Sequence, residues 1–172
     1  MLSLFIEQVV DRIGSKEKVA SNGIIKLTID YTKTIEQAIT DGNYGWKSNK
    51  ITTNNFPIFS ENIGGKVEVS GKLFCFKHDQ YLEEIISEMN QDGYRPADIM
   101  ELVVLGSLFP KLVKKHDILA LGSSMKHSSS SCFFPCLNSH YADRSLDLEF
   151  RFLDRRWIAG QFPNHFLGIL KN

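Results

Sequence analysis

Between Gly93 and Ser124 the chain reads GYRPADIMELVVLGSLFPKLVKKHDILALGSS, and no other stretch restricts the fold as much. Pro96 suits the first turn of a helix, where a missing N–H goes unused. Ile99, Met100, Leu102, Val103 and Leu105 then make that helix apolar on more than one side, which predicts deep burial. Pro110 opens a second short helix, with Leu112 and Val113 inward and Lys111, Lys114 and Lys115 outward. Ile118 to Leu121, closed by Gly122, reads as a central strand. A buried helix and a buried strand this close together require a layered core, and the rest of the chain has to supply the other walls.

Patterning elsewhere supplies them. Gly23 to Tyr31 alternates apolar and polar residues and is rich in β-branched types, so it reads as a strand. Thr32 or Thr34 caps a short helix over 35–40 that stops at Asp41-Gly42. Residues 43–62 read as loop with one short strand near Ile51. A second strand over 66–77 carries Gly71 as a candidate bulge. Asp79 is the expected N-cap of a helix over 79–91, with Tyr81, Leu82, Ile85, Ile86 and Met89 inward. Both strand–helix units end in Asp-Gly, a weak hint of repetition. After the Gly93–Ser124 stretch, 126–131 (KHSSSS) reads as an exposed loop, 132–137 as a short strand and 138–144 as a loop. From Leu146 the alternation places Leu146, Leu148, Phe150 and Phe152 on one face, with Asp147, Glu149 and Arg151 on a solvated face. Asp154-Arg155 is the expected hairpin turn into a strand over 157–161, and 165–170 the closing strand.

The N-terminal residues Leu2, Phe5, Ile6, Val9, Val10 and Ile13 fall at helical spacing, with Gly14 as C-cap. The expected organisation is therefore an amphipathic helix over 1–14 and a single α+β domain over 23–172, in which helices over 79–116 back a C-terminal antiparallel sheet. The N-terminal helix packs on its own domain or forms a homo-oligomer contact.

Composition narrows the functional classes. Lys plus Arg and Asp plus Glu number 20 each, so no bulk field favours nucleic acid or an anionic membrane surface. No run approaches 18 consecutive apolar residues, so no membrane-spanning helix is expected. The start of the chain has no basic n-region or cleavage site. Cysteines number 3, without a disulfide-framework spacing, which fits a cytoplasmic location.

One resemblance emerges from the motifs. GYRPA, Glu101-Leu102, G-x-x-x-P-x-L from Gly106 to Leu112, I-x-A-L-G-S from Ile118 to Ser123, and R-S-L-D-L-x-x-x-F-x-D-x-x-W from Arg144 to Trp157 together resemble a family of small uncharacterised bacterial proteins. The likeness runs over 28–170 and is densest over 93–157. That family carries a Gly-rich loop after a Val-Pro-Tyr strand. This chain has Phe134-Pro135-Cys136 and then Asn138 to Asp143 instead. With no activity established for the family, the resemblance implies no catalytic residue. More faintly, the order of elements is similar to a C-type-lectin-like domain, although the Glu-Pro-Asn and Gln-Pro-Asp calcium triplets are absent.

Candidate chemistry is sparse. His127, Cys132, Cys136 and His140 are the right inventory for zinc. In an extended strand, however, Cys132 and Cys136 lie ~13 Å apart, too far to share an ion, so no metal and no cofactor is expected. Cys75 and His78, three apart on a strand, face opposite sides. Nucleotide-loop, Rossmann, zincin and nucleophile-elbow motifs are absent. What remains is recognition. His140, Tyr141, Arg144, Arg155, Arg156 and Trp157 are loop residues of types enriched in binding hot spots. They are grouped here with the 123–131 loop as one loop-rich end. The expectation is a non-enzymatic module that binds a protein or small ligand; the alternative is a small hydrolase or transferase using Cys75, Cys132 or Cys136 with a histidine.

Overall fold

The computed structural model describes residues 23–58, 65–161 and 165–171. The N-terminal amphipathic segment, and the oligomer contact assigned to it, lie outside the described residues. In chain order the elements are β1 (Ile25–Asp30), α1 (Ile35–Asp41), β2 (Trp46–Lys47), β3 (Lys66–Cys75), α2 (Leu82–Gln91), β4 (Tyr94–Pro96), α3 (Ile99–Leu108), α4 (Pro110–Val113), β5 (Ile118–Leu119), β6 (Met125–Ser128), β7 (Ser131–Asn138), β8 (Ser145–Phe152) and β9 (His165–Leu170). The strands form one mostly antiparallel sheet in the order β1-β3-β9-β5-β7-β8-β2, with β4 on β9 and β6 on β7. The architecture is α+β, with the sheet as its larger part.

Strand parity divides the side chains between two faces. Leu73, Ile118, Leu137, Leu146 and Leu167 share the face covered by α1, α3 and α4, in an aliphatic core that includes Leu27, Ile29, Ile35, Leu102 and Leu105. Phe74, Leu119, Phe134, Cys136 and Phe166 share the other face with Ile85 and Met89 of α2 and with Trp157. The helices thus do not back the sheet from one side. The apolar stripe of α2 requires its own wall, and the aromatic residues of alternating parity provide it.

Capping explains where the helices begin. Thr34, not Thr32, caps α1: Gln37 N–H donates to Thr34 Oγ1 at 3.2 Å and Thr34 N–H donates to Gln37 Oε1 at 2.8 Å. Asp98 does the same for α3, accepting from Glu101 N–H at 2.9 Å, while the Glu101 carboxylate accepts from Asp98 N–H at 2.8 Å. Pro96 therefore ends β4 instead of starting the helix. Its neighbour Ala97 donates to Leu167 O at 2.9 Å, which keeps the chain on the sheet for one more residue. Pro110 does open α4. Tyr81 is the N-cap residue of α2, and its N–H donates to Glu84. Asp79, the expected cap, accepts instead from Ala159 N–H at 3.0 Å.

Three further expectations give way. The segment 126–131 is not simply loop, because Met125–Ser128 pairs with β7. It forms an edge strand, and an edge needs no apolar alternation to hold it. The short strand near Ile51 is instead β2, which runs parallel to β8, while Ile51 is buried within a turn. Residues 157–161 form no strand beyond a single bridge from Trp157 to Gln80. Among the described residues, no helix is long and apolar enough to cross a membrane.

Candidate functional site

The β7–β8 hairpin separates the residues expected at one loop-rich end. Ser131 pairs with Phe152 and Asn138 with Ser145, so the 138–145 loop and the 154–157 segment lie at opposite ends of an eight-residue ladder. At ~3.3 Å per residue, that is roughly 25 Å. The 128–131 turn sits at the 154–157 end.

At the first end, Arg144 is an anchor. Its guanidinium donates to Gly106 O at 3.0 Å, Ser107 O at 3.3 Å, Asn43 O at 2.7 Å and also Gly42 O, and lies 4.8 Å above the Tyr44 ring. One planar fork thereby satisfies carbonyls at the ends of α1 and α3. His140 Nε2 is 3.2 Å from Asp117 Oδ2. Tyr141, 66 % exposed, packs its ring 4.6 Å from Trp46. This end ties the helices to the hairpin and leaves one aromatic ring in solvent.

At the second end the covering layer is thin. Trp157 is 7 % exposed, edge-on to Phe166 at 5.4 Å, with the Arg151 guanidinium 4.7 Å from its ring. Arg151 in turn pairs with Glu149 at 2.9 Å. Asp147, Glu149 and Arg151 are half-buried rather than solvated, and Trp157 of the later segment lies against Arg151. Arg155 lies over Phe152 at 4.4 Å and Arg156 over Tyr81 at 5.0 Å, so both flank Trp157 on aromatic supports. On the opposite face of the hairpin, His127, Phe133, Phe150 and Phe152 form an aromatic row past the edge of the helices, with neighbouring rings 5.0–5.4 Å apart.

Beside Trp157 is an open cleft lined by Phe76, His78, Gln80, Ile85, Ile158, Ala159 and Phe166. It measures about 230 Å³ with its mouth included, and its floor admits little more than one water-sized group. Gln80, 3 % exposed, belongs to that wall. Its backbone is locked by reciprocal hydrogen bonds with Trp157, Gln80 N to Trp157 O at 3.1 Å and Trp157 N to Gln80 O at 2.6 Å. Its side-chain amide donates to Glu88 Oε1, which fixes the orientation, because a carboxylate requires the NH₂ side. The amide oxygen is left buried with no hydrogen-bond partner in the protein. Such a group costs about 1–3 kcal/mol to bury unpaired, so a protein normally pairs it. His78 stands at the mouth, 3.6 Å from the same Glu88 carboxylate. Sequence patterning does not single out Gln80; a lone glutamine before a helix carries no signal until the Trp157 bridge folds over it.

The cysteines are elsewhere. Cys136 is buried and Cys132 half-buried in the second core, and no group of three or more His, Cys, Asp or Glu among the described residues can hold a metal. Cys75 does not meet His78. Its ladder partner is His165, on the same face, whose ring lies 4.2 Å from His116. Burial pushes the Cys75 and Cys136 thiols up, away from the thiolate. Burial first, and His116 second, hold His165 down at about 4. The pair is therefore a protonated thiol beside a neutral imidazole. No known protein family, curated protein or solved structure matches this chain.

Proposed function

We propose that the protein is a non-enzymatic binding module whose recognition surface is the cleft between α2 and the 157–161 segment. One observation carries this reading: the Gln80 amide oxygen, buried, unpartnered and held in orientation, at a cleft walled by Phe76, Trp157 and Phe166. Concave apolar walls with a few fixed polar groups are the usual design of a ligand site. Arg155 and Arg156 flank the segment and extend the surface available to a larger partner. His140, Tyr141 and Arg144, at the far end of the hairpin, belong to a separate surface that holds the helices. The reading includes a cytoplasmic location, which the three free thiols support. The lectin-like element order supports it in one respect: the closing strand β9 returns beside β3, the partner of β1. The cysteine–histidine alternative gains Cys75 and His165 as a pair, but their protonation states oppose a nucleophilic role.

The test is to titrate the protein with a panel of small neutral, anionic and cationic fragments and follow backbone and side-chain amide resonances. Saturable shifts confined to 76–89, 157–161 and Phe166 are expected from at least one class. A panel that leaves those resonances in place removes the cleft as a site.

A further inference from the structure

We infer that the cleft beside Trp157 takes a primary alkylammonium group, either a free amine or a lysine side chain, with its alkyl body against the aromatic wall. This deepens the reading above and rests on it. Three features of the cleft agree on the charge of the occupant. Gln80, which lines the cleft, carries a buried amide oxygen without a hydrogen-bond partner in the protein. The adjacent carboxylate is Glu88, which already engages the Gln80 amide and lies 3.6 Å from His78 Nε2 at the mouth. The walls include Phe76, Trp157 and Phe166, whose ring faces carry negative quadrupole density and attract a cation. An anion would meet a carbonyl oxygen, a carboxylate and ring faces, all of the wrong sign.

Three arginines and a histidine bear on the site from outside the floor, and two of them, Arg155 and Arg156, are seated on the Phe152 and Tyr81 rings. Arg151 sits on the Trp157 ring but is paired with Glu149, so its charge is met on that side of the indole. His78 is largely exposed and can turn away from the mouth. No Lys or Arg lines the cleft. Size agrees with charge: the floor admits a water-sized group, which is the size of an ammonium head, and the open mouth accommodates a short alkyl stem lying over Ile158 and Ala159.

The experiment compares n-butylammonium, n-butanol and butyrate on the full chain at pH 8, followed by the Gln80 side-chain amide and Trp157 indole resonances. A second arm uses a lysine-containing peptide against the same peptide with norleucine. Butylammonium should bind at least tenfold more tightly than butanol, with no saturation by butyrate. In E88Q, which keeps the amide contact and removes the charge, ammonium binding should weaken at least threefold and butanol binding should stay unchanged. A lysine peptide that binds where the norleucine peptide does not identifies a protein source; saturation by the free amine alone identifies a small metabolite. Either result supports the inference. Equal or tighter binding of butanol or butyrate overturns the ammonium assignment and leaves the cleft as a site. No saturable shift from any probe overturns both.

Discussion

The two faces of the sheet are built from different materials. One is sealed by α1, α3 and α4 over an aliphatic core in which Leu27, Ile35, Leu102, Leu105 and Leu137 are essentially inaccessible. Its fully buried carboxylate is engaged on both oxygens. Glu101, 0 % exposed, takes two hydrogen bonds from Arg95 at 2.6 and 2.9 Å and a third from Asp98 N–H. The other face is covered by α2 and an irregular segment, its core is aromatic, and a buried amide oxygen is left unpaired beside an open cleft. Buried polar atoms without a partner occur on both faces, His165 Nδ1 on the sealed one and Gln80 Oε1 on the thin one, but of these two residues Gln80 is the one that lines an open cleft, where a ligand has something to gain.

The largest effect that tests this contrast is Leu102→Ala, which removes a fully buried side chain from the sealed face. We expect a loss of about 3–4 kcal/mol in urea unfolding, since the surroundings cannot collapse into the space. Trp157→Ala deletes a larger side chain, yet should cost only about 2 kcal/mol, because its space opens into the cleft. A Trp157 loss equal to that at Leu102 would remove the distinction between the faces. Arg144→Lys should cost about 2 kcal/mol, as a single ammonium cannot reach carbonyls on both α1 and α3. Fragment binding at the cleft should be unchanged in that variant, and its loss would join the two ends of the hairpin into one surface.

Acid and base behaviour probes the sealed face at smaller scale, since His165 and Asp98 both belong to it. His165 is held near 4 against an ordinary 6.5, so the unfolded chain binds more protons between those values. Stability from this group is lost as pH falls through that window, by on the order of 2–3 kcal/mol. Asp98 behaves oppositely. Burial and then the Glu101 charge raise it to about 6, so the folded state holds the extra proton and stability falls as pH rises from about 4 to 6. Unfolding curves of the native chain against His165→Asn across pH 4–7 should show the variant losing less stability on acidification. The smallest effect is expected at Phe152→Ser, about 0.5 kcal/mol or less, since that ring is 40 % exposed.

What the sequence disclosed follows from where periodicity and environment agree. The burial of α3, the β1 alternation and the α4 proline are legible because each residue's neighbours are set by its own element. On β8 the pattern misleads. Leu146 is buried as the alternation predicts, but Phe152 on the same face lies past the helices in solvent. Arg151, on the apparently solvated face, is met by Trp157, which arrives from later in the chain. The cleft was illegible for the same reason. Gln80 and Trp157 are brought together by one bridge, and no local rule connects them. The Cys75–His165 pair likewise depends on strand register, which is fixed by the whole β3–β9 ladder.

The most direct test of the contrast between faces is native-state hydrogen exchange. The amides of Ile85 and Met89 in α2 should exchange through a local opening well below the free energy of global unfolding, while those of Leu102 and Leu105 in α3 should exchange only through global unfolding. Equal protection of the two helices at the global value would contradict the account, because α2 would then be sealed as firmly as the core on the opposite side of the sheet.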